Sequence, residues 1–258
     1  MKKDVLSTDT LTAAMGELAL RYVPRVFPCI DSTNAEAKRL AVAGERYALI
    51  AAEEQTAGRG RMGRGFHSPD GAGVYFSVLH TFRAAAADAV SITSAAAVAV
   101  MRAILRVCGK QTAIKWVNDL YLDGKKAVGI LAESVLDPAE PTLCSVIVGI
   151  GINLRPISFP PELAEIATSL NDATTARSAL IAAVMEELTP FLDDPADRSW
   201  LADYRAHSCV IGREIVWIRG GERFSGRAED IDADGALLVR LSDGSSRRLA
   251  TGEISVRI

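Results

Sequence analysis

The chain has 258 residues, 49% of them hydrophobic, and a formal net charge of −3 at pH 7. That length supports a sizeable core, in one large domain or in one large and one small. The mild acidity weighs against a general nucleic-acid binder, whose affinity rests on neutralising phosphates. Three histidines (His67, His80, His207) and four cysteines (Cys29, Cys108, Cys144, Cys209) keep no metal-ligand spacing. The cysteines lie in apolar surroundings, which points to reduced core residues of a cytoplasmic protein and away from a disulfide framework.

Taken in chain order, no apolar segment follows Met1-Lys2-Lys3-Asp4 in the manner of a signal peptide. Residues 25–30 read as a short strand. Ser32-Thr33-Asn34 offers a helix N-cap, with Thr33 and Glu36 in capping-box spacing, and a helix follows to about Leu40. Residues 47–53 and 73–80 read as buried strands on either side of a glycine–arginine loop. Residues 88–108 form an alanine-rich helix stopped by Gly109. Its longest apolar run, near Ala95 to Val100, is broken by Arg102 and reads as too short to span a bilayer. A strand is expected at 112–116. Segments 120–122 and 126–133 flank Asp123-Gly124, a strong hairpin signal. An apolar strand at 142–154 and helices at 174–192 and 197–206 complete this part. From Cys209 onward, short alternating strands with turns at Gly220-Gly221, Asp234-Gly235 and Asp243-Gly244 indicate a small antiparallel barrel. The mixture lacks regular strand–helix alternation, so an α+β main domain with a mixed sheet is expected. No internal repeat is evident, and the only low-complexity tract is Ala84 to Ala87.

The segment richest in chemistry is Gly58-Arg59-Gly60-Arg61-Met62-Gly63-Arg64-Gly65, in which three arginines alternate with four glycines. Glycine permits close backbone approach, and the guanidinium fork matches carboxylate and phosphate oxygens. The pattern suits a loop that closes on an anion. It also matches a dinucleotide fingerprint on paper, but Phe66-His67-Ser68-Pro69-Asp70-Gly71 follows where that fingerprint needs a helix. A solvated hairpin tip, a linker or an arginine-rich nucleic-acid segment are the bland alternatives. Two more segments stand out. Lys115-Trp116-Val117-Asn118-Asp119-Leu120 sets a cation, an amide and a carboxylate at a strand end. Gly149-Ile150-Gly151-Ile152-Asn153 is a glycine-punctuated strand ending in an amide. The two glycines mark either the close approach of a ligand or simple crowding.

With Asp31-Ser32-Thr33-Asn34, Gln55 to Arg64, Lys115 to Leu120, Lys126 to Glu133 and Gly149 to Asn153 in this order, the chain resembles the biotin protein ligases. Gly252 to Arg257 is similar to that family's C-terminal barrel. The resemblance covers about residue 25 to the end. It implies a catalytic domain at 1–208, an SH3-like barrel at 209–258, and a two-step reaction. In the first step biotin attacks the α-phosphate of ATP, with Mg2+ present. In the second the acyl group passes to a lysine of a biotin carboxyl carrier domain.

By motif position the resemblance assigns biotin to Ser32, Thr33, Asn34, Gln55, Arg59, Gly60, Arg61 and Lys126. It assigns the nucleotide to Arg61, Arg64, Phe66, Lys115, Asn118 and Asn153, and catalysis to Lys126, Arg61 and Asp119, with no metal ligand identified. Other roles compete for three of these residues and for Trp116. Thr33 is also a candidate cap, Lys115 a solvated strand end, Trp116 core and Asp119 a turn start. The chain departs from the family pattern at Val117, where proline is usual, and at Phe66, where tryptophan is usual. Fewer than thirty residues precede the first motif strand, so a ligase without a DNA-reading domain is expected, as a monomer or homodimer with no membrane association. A lipoate or octanoate protein ligase is the nearest alternative enzyme. A non-catalytic nucleic-acid-binding module using the arginine loop is the alternative of another class.

Overall fold

The structure, a computed structural model of the chain, describes residues 4–83, 88–136, 143–219, 221–250, 252 and 254–256. The alanine tract at 84–87, Thr142, Gly220, and Glu253 and Arg257 of the C-terminal motif lie outside the described residues.

The chain opens on α1 (Thr8–Met15) and α2 (Leu18–Arg21). Neither was anticipated, although Ser7 and Thr10 form a reciprocal cap and Leu11 and Met15, one turn apart, are both buried. Then come β1 (Pro24–Ile30), α3 (Thr33–Val42), β2 (Tyr47–Gln55), β3 (Gly73–Arg83) and α4 (Asp88–Cys108). The cap of α3 is Ser32, whose hydroxyl accepts the Ala35 N–H. Thr33 is therefore the first helical residue, and the expected Thr33–Glu36 capping box does not form. Glu36 instead pairs with Arg39 at 2.6 Å.

Next come β4 (Ala113–Lys115), β5 (Asp119–Leu122), β6 (Lys125–Leu136) and β7 (Leu143–Asn153). Asp123 and Gly124 both take positive φ, +50° and +78°, as the hairpin between β5 and β6 requires. A short helix, α5 (Pro161–Ala164), was not anticipated. The last two helices are α6 (Arg177–Asp193) and α7 (Trp200–Ala206). Each starts three residues later than expected. Before α6, Asp172 ties Thr174 and Thr175 into a non-helical turn.

These strands form one seven-stranded sheet in the order β1-β2-β3-β7-β6-β5-β4, with β1 and β2 parallel and every other pair antiparallel. Strand alternation sorts the side chains onto two faces. Leu49, Ala51, Val74, Phe76, Val148 and Ile150 face α4 and α6 in the main core, whereas Ala48, Ile50, Leu79 and Ile147 pack against α3. The 18 residues Ser91–Cys108 of α4 are long and apolar enough to cross a bilayer, so the run is longer than the sequence reading allowed. Two thirds of that window, 67%, is buried inside the fold, the placement of a core helix.

A second, five-stranded antiparallel sheet of SH3-like type follows: β8 (Glu214–Arg219), β9 (Glu222–Ile231), β10 (Leu237–Arg240), β11 (Ser246–Leu249) and β12 (Ile254–Val256). Its order is β11-β10-β9-β8-β12. It shares the main core through Trp217, Ile231 and Leu237. The Trp116 indole N–H also donates to Gly235 O at 2.9 Å, just ahead of Asn118 and Asp119.

Candidate functional site

On the α3 face of the large sheet lies a cavity of about 310 Å3, within the range of small-molecule sites. The α3 N-terminus, the end of β2, the glycine–arginine loop, the β4–β5 turn, β6, β7, segment 159–167, and Gly252 with the start of β12 all contribute to its wall. Every residue expected at the site from the sequence lines it: Ser32, Thr33, Asn34, Gln55, Arg59, Gly60, Arg61, Arg64, Phe66, Lys115, Asn118, Asp119, Lys126 and Asn153.

The glycine–arginine loop is a tight hairpin. Arg59 and Gly65 face each other across an isolated bridge, and Gly60 N–H donates to Arg64 O at 2.7 Å. Its left-handed residues are Met62 (φ +54°) and Gly63 (φ +75°). At Gly58 it is room that excludes other residues, because a Cβ there would lie 2.4 Å from Phe66 O. Arg61 reaches out of the hairpin in two directions. It donates to Asn118 Oδ1 at 3.2 Å and to Gly252 O of the second sheet at 3.0 Å. Arg59 stands 4.0 Å from the Glu133 carboxylate.

One end of the cavity is a hydroxyl and amide cluster. Thr33 N–H donates to Gln55 Oε1 at 2.9 Å, and Gln55 Nε2 donates to Ser68 Oγ at 2.9 Å. Ser77, fully buried on β3, lies 2.7 Å from Thr33 Oγ1 and 2.6 Å from Asn34 Oδ1. The Asn34 amide nitrogen donates to Glu133 at 2.8 Å. Asn34 thus spends its polar atoms on the protein.

The glycines of β7 fall on this face by strand alternation. A Cβ on Gly149 would lie 1.9 Å from Asn34 Oδ1, and one on Gly151 would lie 2.5 Å from the Phe66 ring. Crowding by the protein's own side chains therefore accounts for both. Phe66 packs edge-on against Tyr75, whose phenol is pushed well above its ordinary pKa by burial.

The other end gathers charge. Lys126 Nζ lies 2.7 Å from Asp119 Oδ1, in an ion pair. That oxygen and Asn153 Oδ1 are buried without a hydrogen bond of good geometry, so the Lys126 contact is electrostatic and undirected. Both ends of the Lys126 main chain are fixed, with its N–H donating to Ile166 O and its carbonyl accepting from Thr168 N–H, each at 2.9 Å. Asn153 Nδ2 donates to Thr168 O at 3.0 Å and so steadies the same segment. Asn118 is held by Ile130: Ile130 N–H donates to Asn118 O at 3.0 Å, and the Asn118 amide donates back to Ile130 O. Its amide is therefore oriented without the proline that Val117 replaces. Lys115 donates to Tyr121 OH at 3.1 Å and stands over that ring.

Sequence reasoning missed the apolar wall made by Phe159, Leu163, Ile166 and Ala167, and the contribution of Gly252, Ile254 and Ser255. Nothing local in 155–168 announces it beyond the turn chemistry of Pro160-Pro161. Ser77 and Glu133, which stand behind the wall and hold Thr33 and Asn34, were missed too, since a serine inside a strand looks like any other half-polar position.

Comparison with known proteins bears on this site. The model of the "Biotin/lipoate A/B protein ligase family" matches residues 26–153, and that of the "Biotin protein ligase C terminal domain" matches residues 210–257. The chain is 36% identical over 206 residues to the "Bifunctional ligase/repressor BirA" of Bacillus subtilis, covering 76% of this chain and 62% of that protein. It therefore spans less than two thirds of that relative's length. It is 35% identical over 225 residues to the "Biotin--[acetyl-CoA-carboxylase] ligase" of Paracoccus denitrificans, covering 81% and 91% of the two chains. Among solved structures, the biotin protein ligase of Aquifex aeolicus in complex with biotin and ATP superposes with a TM-score of 0.72 at 24% identity. The match covers 91% of this chain and 98% of that one, a likeness of fold.

Proposed function

Because this chain belongs to the biotin/lipoate A/B protein ligase family, we propose that it is an ATP-dependent ligase that joins biotin to a lysine of a biotin carboxyl carrier domain. The observation that carries this reading is one cavity with a hydroxyl and amide cluster at one end and cations at the other. We divide the chain into a catalytic domain at 1–208 and a C-terminal domain at 209–258.

In the first step biotin's carboxylate attacks the α-phosphorus of ATP, the bond to the β-phosphate breaks, and pyrophosphate leaves. Carboxylate and triphosphate are both anions. Lys126, Arg59, Arg61 and Lys115 offset their repulsion and hold them in line. Ser32, Thr33 and Gln55 take the ring end of biotin, and Phe66, Arg64, Asn118 and Asn153 take the nucleotide. The Asp119, Asn118 and Asn153 side chains present oxygens to a hard cation. No group of three His, Cys, Asp or Glu side chains is placed to hold a metal among the described residues. That donor set fits a magnesium ion that arrives on ATP and keeps phosphate oxygens as ligands. Such an ion would neutralise developing phosphate charge. In the second step a lysine amine of the carrier attacks the acyl carbonyl, AMP leaves with the bonding pair, and the amine loses its proton. The glycine–arginine hairpin and segment 159–167 shield the anhydride from water in the interval.

The test is pyrophosphate release with biotin, ATP and magnesium, run beside lipoate and octanoate. Release with biotin alone is expected, and release only with lipoate or octanoate would overturn the reading. Acceptor labelling with a purified carrier domain tests the second step. A biotinylated carrier lysine is the expected result, and an unlabelled carrier would overturn that step.

A further inference from the structure

The hydrogen bonds around the hydroxyl and amide cluster have a direction that donor counting resolves. Asn34 is held in one amide orientation. Its Nδ2 faces the Glu133 carboxylate at 2.8 Å and Leu131 O at 3.4 Å, two groups that only accept. The reversed amide would set oxygen against both, so Asn34 Oδ1 points to Ser77. A serine hydroxyl carries one proton, and Asn34 Oδ1 takes it at 2.6 Å. The 2.7 Å contact between Ser77 and Thr33 is then filled by the Thr33 proton, in preference to Gln55 Oε1, which lies farther from Thr33 Oγ1 at 3.2 Å and already accepts the Thr33 N–H. Thr33 Oγ1 is left with lone pairs only toward the cavity.

Thr33 N–H donates to Gln55 Oε1, so the other end of the Gln55 amide is its NH2 group. One of those two hydrogens goes to Ser68 Oγ, and the second remains for a ligand. Ser32 Oγ accepts the Ala35 N–H as a helix cap, which leaves its own proton to give.

We propose that Glu133 and Ser77, neither of which lines the cavity, are positioning residues that set the polarity of this pocket through Asn34 and Thr33. The pocket offers one acceptor, Thr33 Oγ1, between two donors, Ser32 Oγ and Gln55 Nε2. It therefore selects a head group carrying N–H and C=O side by side, a cyclic urea or lactam. A hydrocarbon chain or a dithiolane ring satisfies none of the three and leaves them unpaired in a buried site. Gly149 belongs to the same device, because only a residue without Cβ leaves room for the Asn34 oxygen. The inference rests on the biotin reading and supplies it with a cause of specificity against lipoate and octanoate.

The test uses the full chain and calorimetric titration with biotin, with desthiobiotin, which keeps the cyclic urea, and with ATP. E133K presents only donors to Asn34 and turns its amide, reversing the chain of protons. Affinity for biotin and desthiobiotin should fall about tenfold, with ATP affinity held within about twofold. E133Q, whose amide oxygen still accepts, should bind biotin as the wild type does. The S77A variant should lose biotin affinity as E133K does. In a Thr33→Val background the E133K loss should vanish, because the effect travels through Thr33. Unchanged biotin affinity in E133K and S77A, or an E133K loss that persists in full beside Thr33→Val, would overturn the proposal. A wild-type chain that binds ATP but no biotin would instead overturn the functional reading beneath it.

Discussion

At Lys126 a main chain fixed at both ends carries an ammonium aimed across the cavity at Asp119. Such a preorganised cation acts on charge that builds up only during phosphoryl transfer, and losing one costs on the order of a hundredfold in rate. Lys126→Ala should therefore cut biotin-dependent pyrophosphate release by about that factor while leaving the thermal midpoint near wild type. Normal release would remove Lys126 from the chemistry. Arg61 plays a different part. Its two hydrogen bonds join the hairpin to Asn118 and to Gly252 of the second sheet, so it fastens the loop over the site. Arg61→Gly should still make the adenylate, since Lys126 remains, but should release it early. Bystander protein incubated with the variant, biotin and ATP should acquire biotin on its lysines well above the wild-type level. Equal, low labelling by both enzymes would leave Arg61 a spectator.

At the scale of elements, the N-terminal segment is held to the sheet by a compact ionic cluster. Arg177, at the start of α6 and only 4% exposed, pairs with Asp4 at 2.9 Å and with Glu53 at the end of β2. Arg155, just past β7, also reaches Asp4, at 2.8 Å. The cluster joins four segments that share no local sequence signal. Removing the central cation strands the Glu53 carboxylate and leaves Asp4 to Arg155 alone, which costs on the order of 3 kcal/mol in comparable sites. Arg177→Met should lower unfolding free energy by roughly that amount in urea titration, and a change of under about 1 kcal/mol would show that solvent screens the cluster. The same scale shows why β7 was readable. Its Gly-Ile-Gly-Ile-Asn alternation puts apolar residues on the α4 face and glycines on the site face, a consequence of the period of two. What those glycines accommodate, Asn34 and Phe66, came only from contacts.

At the scale of the whole molecule, the buried group among the described residues whose charge is set against the fold in the neutral range is His80. It lies at 2% exposure on β3, bonded to Tyr22 OH at 2.6 Å and beside the Tyr47 ring. Burial, helped by the Arg21 charge, pushes its pKa from 6.5 down to about 4. Asp193, 3.9 Å away, pulls the other way. Burial wins because that carboxylate is 44% exposed and already paired with Arg21 at 2.7 Å. Between pH 6.5 and about 4 the unfolded chain binds the extra proton and the folded chain does not. Stability is therefore full above pH 6.5 and falls as pH drops toward 4, by on the order of 3 kcal/mol in all. Thermal midpoints across that range should fall more steeply in the wild type than in His80→Gln. Parallel curves would show that other groups set the acid limb. The polar and charged residues that line the cavity from α3, β2, the glycine–arginine loop and β4 to β7 were legible in the sequence, because their types answer to anion chemistry and their spacing to strand and turn geometry. So were the large helix α4, the β5–β6 hairpin and the separate C-terminal sheet, each marked by a local period or a turn dipeptide. Tertiary structure alone decided that Ser32 and not Thr33 caps α3. It also set Ser77 and Glu133 behind the cavity wall, brought segment 159–167 onto that wall, and tied Gly252 to Arg61. The Ser77–Thr33, Glu133–Asn34 and Arg61–Gly252 pairings join residues 44, 99 and 191 positions apart, so no local periodicity encodes them; packing of the sheet and its two faces does.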